Sequence, residues 1–393
     1  MLTSSPPPKK TNIPINYPDN NYDFTDAFFK LAVNLLNTKS NPPRCSVVSP
    51  FSICLALAVA GAGAREKTQK QILEVIFEDA DLEFVNEFFK DTLRGLTDIS
   101  IGSVIYVDKT CHLQEEYQNQ LIEHYDTFLK TSDFANNPEK ERKKINAYVR
   151  VKTKNFIREL ISPGAIHGGT RLVLANAIYL TAQFDNIFSE HATKDREFCN
   201  EDGTTKKVPT MEGSIEHTST STDPKQRFCS TESFDYIDFY VGKERQFEFF
   251  ILLPKNQTCA RLKTALLQES SLLFSQIHQK AEPIFKICLQ MPKFRTDASF
   301  DLKAFLSKAG VTDAFAGSAD FSGMTNEKVQ IDFFGHKATF DINEKGLSAA
   351  AATYFTMVKI KQDQRKPFVM KANRPFLYGV CQSGLPLFVG QYY

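Results

Sequence analysis

The sequence lacks tryptophan, any large net charge (its formal net charge is +1) and any long apolar run. Its 47 Lys and Arg residues nearly cancel its 46 Asp and Glu residues, which argues against a whole-molecule nucleic-acid or membrane-surface binder, because such partners attract a strongly basic protein. The longest apolar stretch, residues 51–64, is shorter than the roughly 18 residues of a transmembrane helix. No secretory signal is visible, so we expect residues 1–21 to form a flexible polar tail and the protein to be cytoplasmic by default, with leaderless export as the alternative.

The sequence also lacks the short motifs of metal sites and of common enzymes. Its eight cysteines include no CxxC pair, which favours free thiols over a zinc site or a dense disulfide framework. There is no HExxH and no GxSxG, and Gly61 and Gly63 do not stand at P-loop spacing before Lys67. We therefore expect no metal, no cofactor and no enzymatic activity. Asn256 opens a glycosylation sequon, a match short enough to occur by chance.

The residues that are present predict one large α+β domain over residues 22–393, with helices mainly in the first half and strands in the second. Ser49 followed by Pro50 is a helix start signal, and the run after it is apolar on every side, as expected of a helix buried in a large core. Thr68 and Gln71 resemble a capping box that opens a third helix. Further helices are predicted at 23–37, 146–160 and 302–309, and strands at 172–180, 247–253, 284–291, 329–342, 368–380 and 385–393.

One segment combines small side chains with a position between two predicted strands. Residues 346–357 read GLSAAAATYFTM, and a charged stretch follows them up to Lys366. A loop of roughly twenty residues inside a compact domain is usually functional. Alternate residues from Leu347 to Met357 are mostly apolar and the intervening ones more polar, so the segment is also compatible with a strand that buries one face. An alanine-rich helix is the other interpretation of the same composition.

The segment that begins at Glu344 (EKGLSAAAAT) resembles the reactive-loop hinge of the serpins, and residues 370–380 (MKANRPFLYGV) resemble the signature near the C-terminus of that family. Shorter blocks similar to the family follow in the family's order at 49–53, 176–180, 291–294, 319–324 and 336–338. On these residues the chain resembles an inhibitory serpin along all but its N-terminal tail.

The resemblance implies about nine helices, three β-sheets and an exposed reactive loop at about residues 344–367. It implies a metastable monomer that acts as a suicide substrate of serine endopeptidases: the protease cuts the loop, forms an acyl-enzyme, and is trapped when the cut loop inserts into the main sheet as an extra strand. Roughly ten new backbone hydrogen bonds at about 1 kcal/mol each, with a few buried apolar side chains, total some 10–20 kcal/mol. That is enough to deform a protease whose own stability is about 5–15 kcal/mol.

The resemblance also assigns a hinge, in which small side chains ease insertion. Its residues are Glu344, Gly346, Leu347, Ser348, Ala349, Ala350, Ala351, Ala352 and Thr353. Leu347 departs from the Thr or Ser that the family prefers at the first buried position; burying it is favourable, but we expect its bulk to slow insertion. A charge at that position would have argued for a non-inhibitory member, so we favour an inhibitor, with a carrier or chaperone as the alternative.

The scissile bond follows from counting along the loop. The count from Glu344 that holds in most inhibitory serpins places the bond at Ile360–Lys361. Lys359 and Lys361 each fit the acidic primary pocket of a trypsin-like protease, whereas Ile360 fits an elastase-like or chymotrypsin-like pocket. We lean to trypsin-like targets, and a cysteine protease remains a further alternative.

Two groups of residues lie outside the loop. The family's polar cluster beneath the opening strands corresponds to Ser49, Ser52, Asn176 and His336, for which we expect a role in conformational gating, and Phe184 stands where the family usually carries tryptophan. A charge run forms the second group, which we interpret as a solvated helix face, with a glycosaminoglycan site as the alternative. Its members are Lys140, Arg142, Lys143, Lys144, Arg150, Lys152, Lys154 and Arg158, and the alternative site is placed at Lys140, Arg142, Lys143 and Lys144.

Overall fold

The computed structural model describes residues 24–38, 45–77, 80–96, 99–101, 104–125, 128–180, 182–184, 187–216, 226–242, 245–255, 274–347 and 366–393. Within these ranges the chain forms eight α-helices and three β-sheets, in agreement with the predicted α+β class. None of the helices in these ranges is both long and apolar enough to cross a bilayer. The helices are α1 (Phe24–Thr38), α2 (Pro50–Gly63), α3 (Glu66–Phe77), α4 (Leu82–Gly95), α5 (Glu115–Tyr125), α6 (Pro138–Lys152), α7 (Phe274–Lys280) and α8 (Lys303–Ala309).

Helix α2 forms where its start signal predicts it. The Ser49 hydroxyl accepts a hydrogen bond from the Ser52 backbone N–H, and Pro50 occupies the first turn, where its missing N–H is not needed. Every residue of α2 is buried, as the apolar run predicts. This helix therefore forms the centre of the main core and lies against the largest sheet.

Two helix predictions were wrong in their boundaries. Thr68 does not cap α3, which begins at Glu66; the Thr68 hydroxyl instead accepts a hydrogen bond from Asp320 N at 2.9 Å. The helix predicted at 146–160 runs from Pro138 to Lys152, because Pro138 favours the first turn and the residues after Lys152 leave the helical region.

The three sheets contain nineteen strands in the described residues. The strands are β1 (Ser46–Val48), β2 (Ile99–Ile101), β3 (Val104–Asp108), β4 (Phe128–Ser132), β5 (Leu172–Leu180), β6 (Ala182–Gln183), β7 (Lys194–Cys199), β8 (Thr205–Glu216), β9 (Gln226–Ser230), β10 (Phe234–Val241), β11 (Phe247–Pro254), β12 (Glu282–Pro283), β13 (Lys286–Pro292), β14 (Phe294–Asp301), β15 (Ile331–Asn343), β16 (Gly346–Leu347), β17 (Phe368–Lys371), β18 (Phe376–Gln382) and β19 (Leu385–Tyr392).

The central sheet has eight strands. Six of them lie side by side in the order β4-β3-β5-β15-β16-β6, while β2 pairs with β5 and β14 pairs with β15 outside this row. Strand β5 is buried on both faces. Its even-numbered residues, such as Leu174, belong to the main core, and odd-numbered ones, such as Val173, belong to a second core with α6 residues such as Ile145. The sheet is thus covered by helices on both faces.

The stretch predicted as one strand at 368–380 is two strands in different sheets. Strand β17 is an edge of the four-stranded sheet β17-β13-β8-β7, whereas β18 lies inside the seven-stranded sheet β1-β19-β18-β11-β10-β9-β12. Residues 372–375 separate them and include Pro375, whose missing N–H cannot join a ladder. The alternation of side chains across this junction reads as continuous, which is why the pattern alone did not reveal the break.

Candidate functional site

The site predicted from the hinge motif lies at one end of the central sheet. The chain leaves β15, turns at Glu344 and Lys345, and re-enters the sheet as β16 between β15 and β6. Of the predicted hinge residues, the structure describes Glu344, Gly346 and Leu347. The others, Ser348, Ala349, Ala350, Ala351, Ala352 and Thr353, lie outside the described residues, as do the reactive-bond candidates Lys359, Ile360 and Lys361.

Gly346 is the residue that allows this turn. Its φ of +127° lies where residues with a side chain are strained. A Cβ at this position would lie 2.2 Å from the Ala182 carbonyl oxygen and 2.6 Å from Gln183 Cα. Because both are backbone atoms of β6, the strand can approach β6 this closely only with glycine.

Glu344 anchors the turn before Gly346. Its carboxylate accepts hydrogen bonds from Thr193 Oγ1 at 2.7 Å and from Lys293 Nζ at 2.8 Å. Burial by itself raises the pKa of Glu344, but these two hydrogen bonds outweigh burial and hold the pKa below its usual value. The group is therefore a charged, fixed anchor at neutral pH. Lys345, by contrast, is exposed and forms an ion pair with Glu190 at 3.6 Å.

Thr193 and Lys293 were not predicted as site residues. Lys293 lies within the 291–294 block that resembles the serpins, so its motif was a usable signal. Thr193 precedes an ordinary amphipathic strand, and only the tertiary fold brings it to Glu344. The Phe184 ring also lies here, fully buried and 5.3–6.0 Å from the ring centroids of Phe188, Phe249 and Phe239, so an aromatic cluster fills the position of the usual tryptophan.

Leu347 is already buried where the hinge enters the sheet. It is 1% exposed, belongs to the main core and pairs with Ile342 on one side and Ala182 on the other. An apolar residue at this point gains burial energy of about 2 kcal/mol. Leu347 is thus already part of the core, and slower insertion because of its bulk stays a prediction.

Beyond β16, strands β5 and β15 pair directly with each other. β5 and β15 pair in parallel over seven residue pairs, from Leu172–Ile331 to Ile178–Ala338. Because no strand lies between them, β5 and β15 are joined by a single ladder of hydrogen bonds. Strand β16 lies beyond the end of that ladder. The arrangement is a sheet that is closed along most of its length and split at one end.

The predicted polar cluster lies beneath this closed ladder. Asn176 and His336 pair in register, and His336 Nδ1 lies 2.7 Å from Asn176 Oδ1. The Ser49 backbone N–H donates to His336 Nε2 at 3.1 Å, so Nδ1 must carry the proton that goes to Asn176. The Ser52 hydroxyl lies 2.8 Å from the same Asn176 oxygen. The structure brings all four predicted residues together, each fully buried.

Because the cluster joins β5, β15 and the start of α2, it ties both strands of the closed ladder to the central helix. Buried polar groups lose several kcal/mol if they part without new partners. Any separation of β5 from β15 therefore has to break the contact between His336 and Asn176.

The far end of the 348–365 segment is fixed in a different sheet. The chain resumes at Lys366, and β17 pairs in parallel with β13. The Ala372 N–H donates to Gln290 O at 2.8 Å, and Arg374 Nε donates to Pro254 O at 2.6 Å. The segment thus connects the split end of the central sheet with the edge of the four-stranded sheet.

The charge run on α6 does not act as one surface. The Arg142 side chain is 7% exposed and bonds Glu139, Glu159 and the Ile161 carbonyl, so it is a structural residue. Lys143 and Lys144 are largely exposed and pair with glutamates of the same helix. Lys143 and Lys144 therefore lie on a solvated helix face as expected, whereas the assignment of Arg142 to that face was wrong because its side chain is buried.

The described residues offer no cluster of three or more His, Cys, Asp or Glu side chains that would hold a metal ion. All seven cysteines in those ranges are free thiols.

Comparison with known proteins places these features in a family. The family model described as serpin (serine protease inhibitor) matches residues 23–393. Ipis-1 of Ixodes persulcatus is 33% identical over 341 residues, which are 84% of this chain and 86% of the relative. The crystal structure of Serpin48, a highly specific serpin of the insect Tenebrio molitor, matches with a TM-score of 0.79 at 24% identity and covers 94% of this chain and 96% of that chain.

A second solved structure shares the architecture. Thyroxine-binding globulin in complex with thyroxine matches with a TM-score of 0.77 at 23% identity, over 94% of this chain and 98% of that chain. These matches confirm the predicted fold.

Proposed function

The chain belongs to the serpin family, and from this premise we propose that it is a suicide-substrate inhibitor of serine endopeptidases, most favourably of trypsin-like ones. The observation that supports this most strongly is β16, a two-residue strand already seated between β15 and β6. It gives an inserting loop a starting register, a glycine that fits the approach and a buried apolar first residue.

The register of β16 extends without adjustment into the closed ladder. Continuing it residue by residue sets Ala351 opposite both Ala338 and Ile178, and those two residues already pair with each other. One added strand therefore fits the existing alignment of β5 and β15. Along that strand Leu347, Ala349 and Ala351 would face the main core, where the closest packing favours small apolar side chains.

The same register would bring Thr353 between His336 and Asn176. Adding a strand moves these two residues apart by about 4.8 Å, one strand spacing, which breaks their direct hydrogen bond. The Thr353 hydroxyl can both donate and accept, so it would replace the lost partner of each. Opening would then cost no permanent loss of buried hydrogen bonds, which is the condition for the polar cluster to act as a gate.

The free energy of insertion comes from doubling a ladder. The closed sheet has one seven-pair ladder between β5 and β15, whereas the expanded sheet would have a ladder on each side of the new strand. About ten added residues at about 1 kcal/mol per hydrogen bond, with the burial of several side chains, again give some 10–20 kcal/mol. A loop held at both ends, at Leu347 and at Phe368, gains this energy only after it is cut.

The candidates for the residue that enters the primary pocket of the protease are Lys359, Ile360 and Lys361. A trypsin-like protease would cut after Lys359 or after Lys361, whereas the count along the loop places the bond after Ile360, which suits an elastase-like or chymotrypsin-like protease. Incubation with trypsin, chymotrypsin and elastase, followed by denaturing gels and intact mass of the released peptide, tests both points. We expect a denaturant-stable adduct with trypsin, and the peptide mass identifies the bond.

A matched pair of variants tests the insertion step itself. Leu347→Arg would bury an unpaired charge in the main core, so we expect the protease to cut the variant and leave without forming the adduct. Lys345→Arg places the same side chain two residues earlier, on an exposed position, and should form the adduct as the parent does. Equal adduct yields from the two variants would refute the proposed insertion at Leu347, whereas the absence of an adduct from the parent itself would make a carrier function the better account.

A further inference from the structure

A basic pocket lies on the face of the central sheet that α6 covers. It has a volume of about 580 Å³ and is lined by residues 154–156, 158 and 159 after α6, by Arg295 and Asp297 of β14, and by Lys337 of β15. This volume falls within the range of small-molecule sites, about 300–1,000 Å³. We define the basic pocket by its four cations, Lys154, Arg158, Arg295 and Lys337.

The cations of the basic pocket have few partners of their own. Among the described residues, no carboxylate lies within 4.0 Å of Lys154, Arg158 or Lys337. Lys337 Nζ donates one hydrogen bond, to the Glu159 carbonyl oxygen at 2.8 Å, and an ammonium has three donors. Arg295 reaches Asp297 through Nε alone, at 3.3 Å. Donors therefore converge on the pocket from two walls.

The two acidic residues of the lining have partners of their own, and Asp297 Oδ2 also keeps its contact with Arg295. Glu159 Oε1 accepts a hydrogen bond from Arg142 at 3.0 Å, and Asp297 Oδ1 accepts one from Thr339 at 2.7 Å. Four cations against two anions leave a surplus of two positive charges at neutral pH. A concave site with surplus positive charge attracts anions.

The backbone supports the same interpretation. Lys154 and Asn155 have φ values of +49° and +67°, a left-handed conformation that costs a residue with a side chain about 1 kcal/mol or more. The Phe156 ring stacks on Tyr179 of β5 at 4.1 Å between centroids and carries Arg295 at 5.7 Å above its own ring.

We propose that the basic pocket binds a small polyanion with at least two phosphate or sulfate groups. One group contacts Lys154 and Arg158 on the segment after α6, and the other contacts Arg295 and Lys337 on β14 and β15. Each group replaces water with charge-assisted hydrogen bonds, which are about twice as strong as neutral ones. The ligand thereby links the segment after α6 to the strands beneath it.

This link spans the closed ladder between β5 and β15. Phe156 rests on Tyr179 of β5, while Lys337 of β15 holds the Glu159 carbonyl and pairs in register with Ala177 of β5. A ligand that joins residues 154–159 to β15 favours the state in which β5 and β15 remain paired. It therefore slows insertion of the loop between them. This consequence rests on the proposed inhibitory function, whereas the binding site does not.

The site is tested by calorimetric titration of the full-length protein with inorganic pyrophosphate and with orthophosphate at one ionic strength. Pyrophosphate carries two phosphate groups and orthophosphate one, so under the proposed two-group binding we expect pyrophosphate to bind at least tenfold more tightly. The double variant Lys154→Gln, Arg158→Gln should weaken pyrophosphate binding at least tenfold. The control Lys140→Gln, Lys143→Gln removes the same charge from the exposed face of α6 and should change it less than twofold.

Equal weakening in the two double variants, or equal affinity for the two phosphates, would mean attraction to general positive charge and would overturn the proposal. A sulfated disaccharide in the same titration identifies the source of the anion: tighter binding than pyrophosphate indicates a sulfated sugar, and weaker binding indicates a phosphate. For the coupling, saturating pyrophosphate should slow adduct formation at least threefold in the parent and not in the pocket variant. If no protease forms an adduct, the inhibitory function fails while the titration still decides the site.

Discussion

Gly346→Ala tests whether the hinge is seated in the central sheet. The added Cβ would overlap the Ala182 carbonyl oxygen, Gln183 Cα and Phe184 N, at 2.2, 2.6 and 2.9 Å. All three are backbone atoms of the neighbouring strand, so no flexible side chain can move aside. The least costly relief is for β16 to leave the sheet.

The cost of that departure can be bounded from the structure. Leaving exposes Leu347, about 2 kcal/mol, and breaks the hydrogen bonds of two registered pairs on each side, about 2 kcal/mol or more in sum. We expect a loss of about 4 kcal/mol. For 393 residues the unfolding entropy is about 0.8 kcal/mol per degree, so the melting temperature should fall by about 5 °C.

Gly203→Ala is the matched control. Gly203 also has a positive φ, +82°, but no atom lies within 4 Å of the added Cβ. It therefore measures the conformational cost alone, about 1 kcal/mol, or about 1 °C. Scanning calorimetry at one scan rate compares the two variants. Hydrogen exchange adds a local readout, because the Phe184 N–H that donates to Lys345 O at 3.3 Å should exchange faster in Gly346→Ala only. Equal melting temperatures for the two variants would refute the seated hinge.

Three further predictions concern Glu344, the buried polar residue His336, and the candidate cleavage residues Lys359 and Lys361. Glu344→Gln should lose about 1 kcal/mol at pH 7; because the pKa of Glu344 is lowered in the folded state, the advantage of the parent is full above the ordinary glutamate pKa of about 4.3 and disappears as the pH falls below it, which melting curves from pH 3 to 7 measure. His336→Ala removes a fully buried ring and should cost about 3 kcal/mol, while the exposed control His112→Ala should cost less than about 0.5 kcal/mol; similar losses in urea unfolding would contradict the buried cluster. Lys361→Ala and Lys359→Ala separate the two cleavage registers: only the variant at the true position should lose the trypsin adduct by more than tenfold, and loss in neither places the bond elsewhere.

The sequence predicted the elements whose signal is local. Helix α2 has a cap, a proline at its first turn and an apolar run, and strand β5 is a nine-residue apolar run that the structure reproduces residue for residue. Both are buried on every side, so tertiary packing and local pattern favour the same structure.

The errors arose where tertiary structure decides. The α6 helix was placed too late because its first turn is charged and shows little apolar periodicity. Strands β17 and β18 share one pattern but lie in different sheets, and periodicity carries no information about sheet membership.

The candidate site divides in the same way. Gly346, Leu347 and the four polar residues beneath the ladder were predicted because their motif resembles a known family. Thr193 was not, because a threonine before a strand has no distinguishing neighbours. The basic pocket was not predicted as a unit: Lys154 and Arg158 belong to the predicted charge run, but Arg295 and Lys337 lie more than a hundred residues away in the sequence, and only the fold brings them to the same pocket.

The most direct test of the inhibitor proposal is the melting temperature before and after a single cut between residues 348 and 365. A segment that becomes a full strand adds some 10–20 kcal/mol, so the nicked protein should melt more than about 10 °C above the intact one. A nicked protein that melts at or below the temperature of the intact protein would contradict the account.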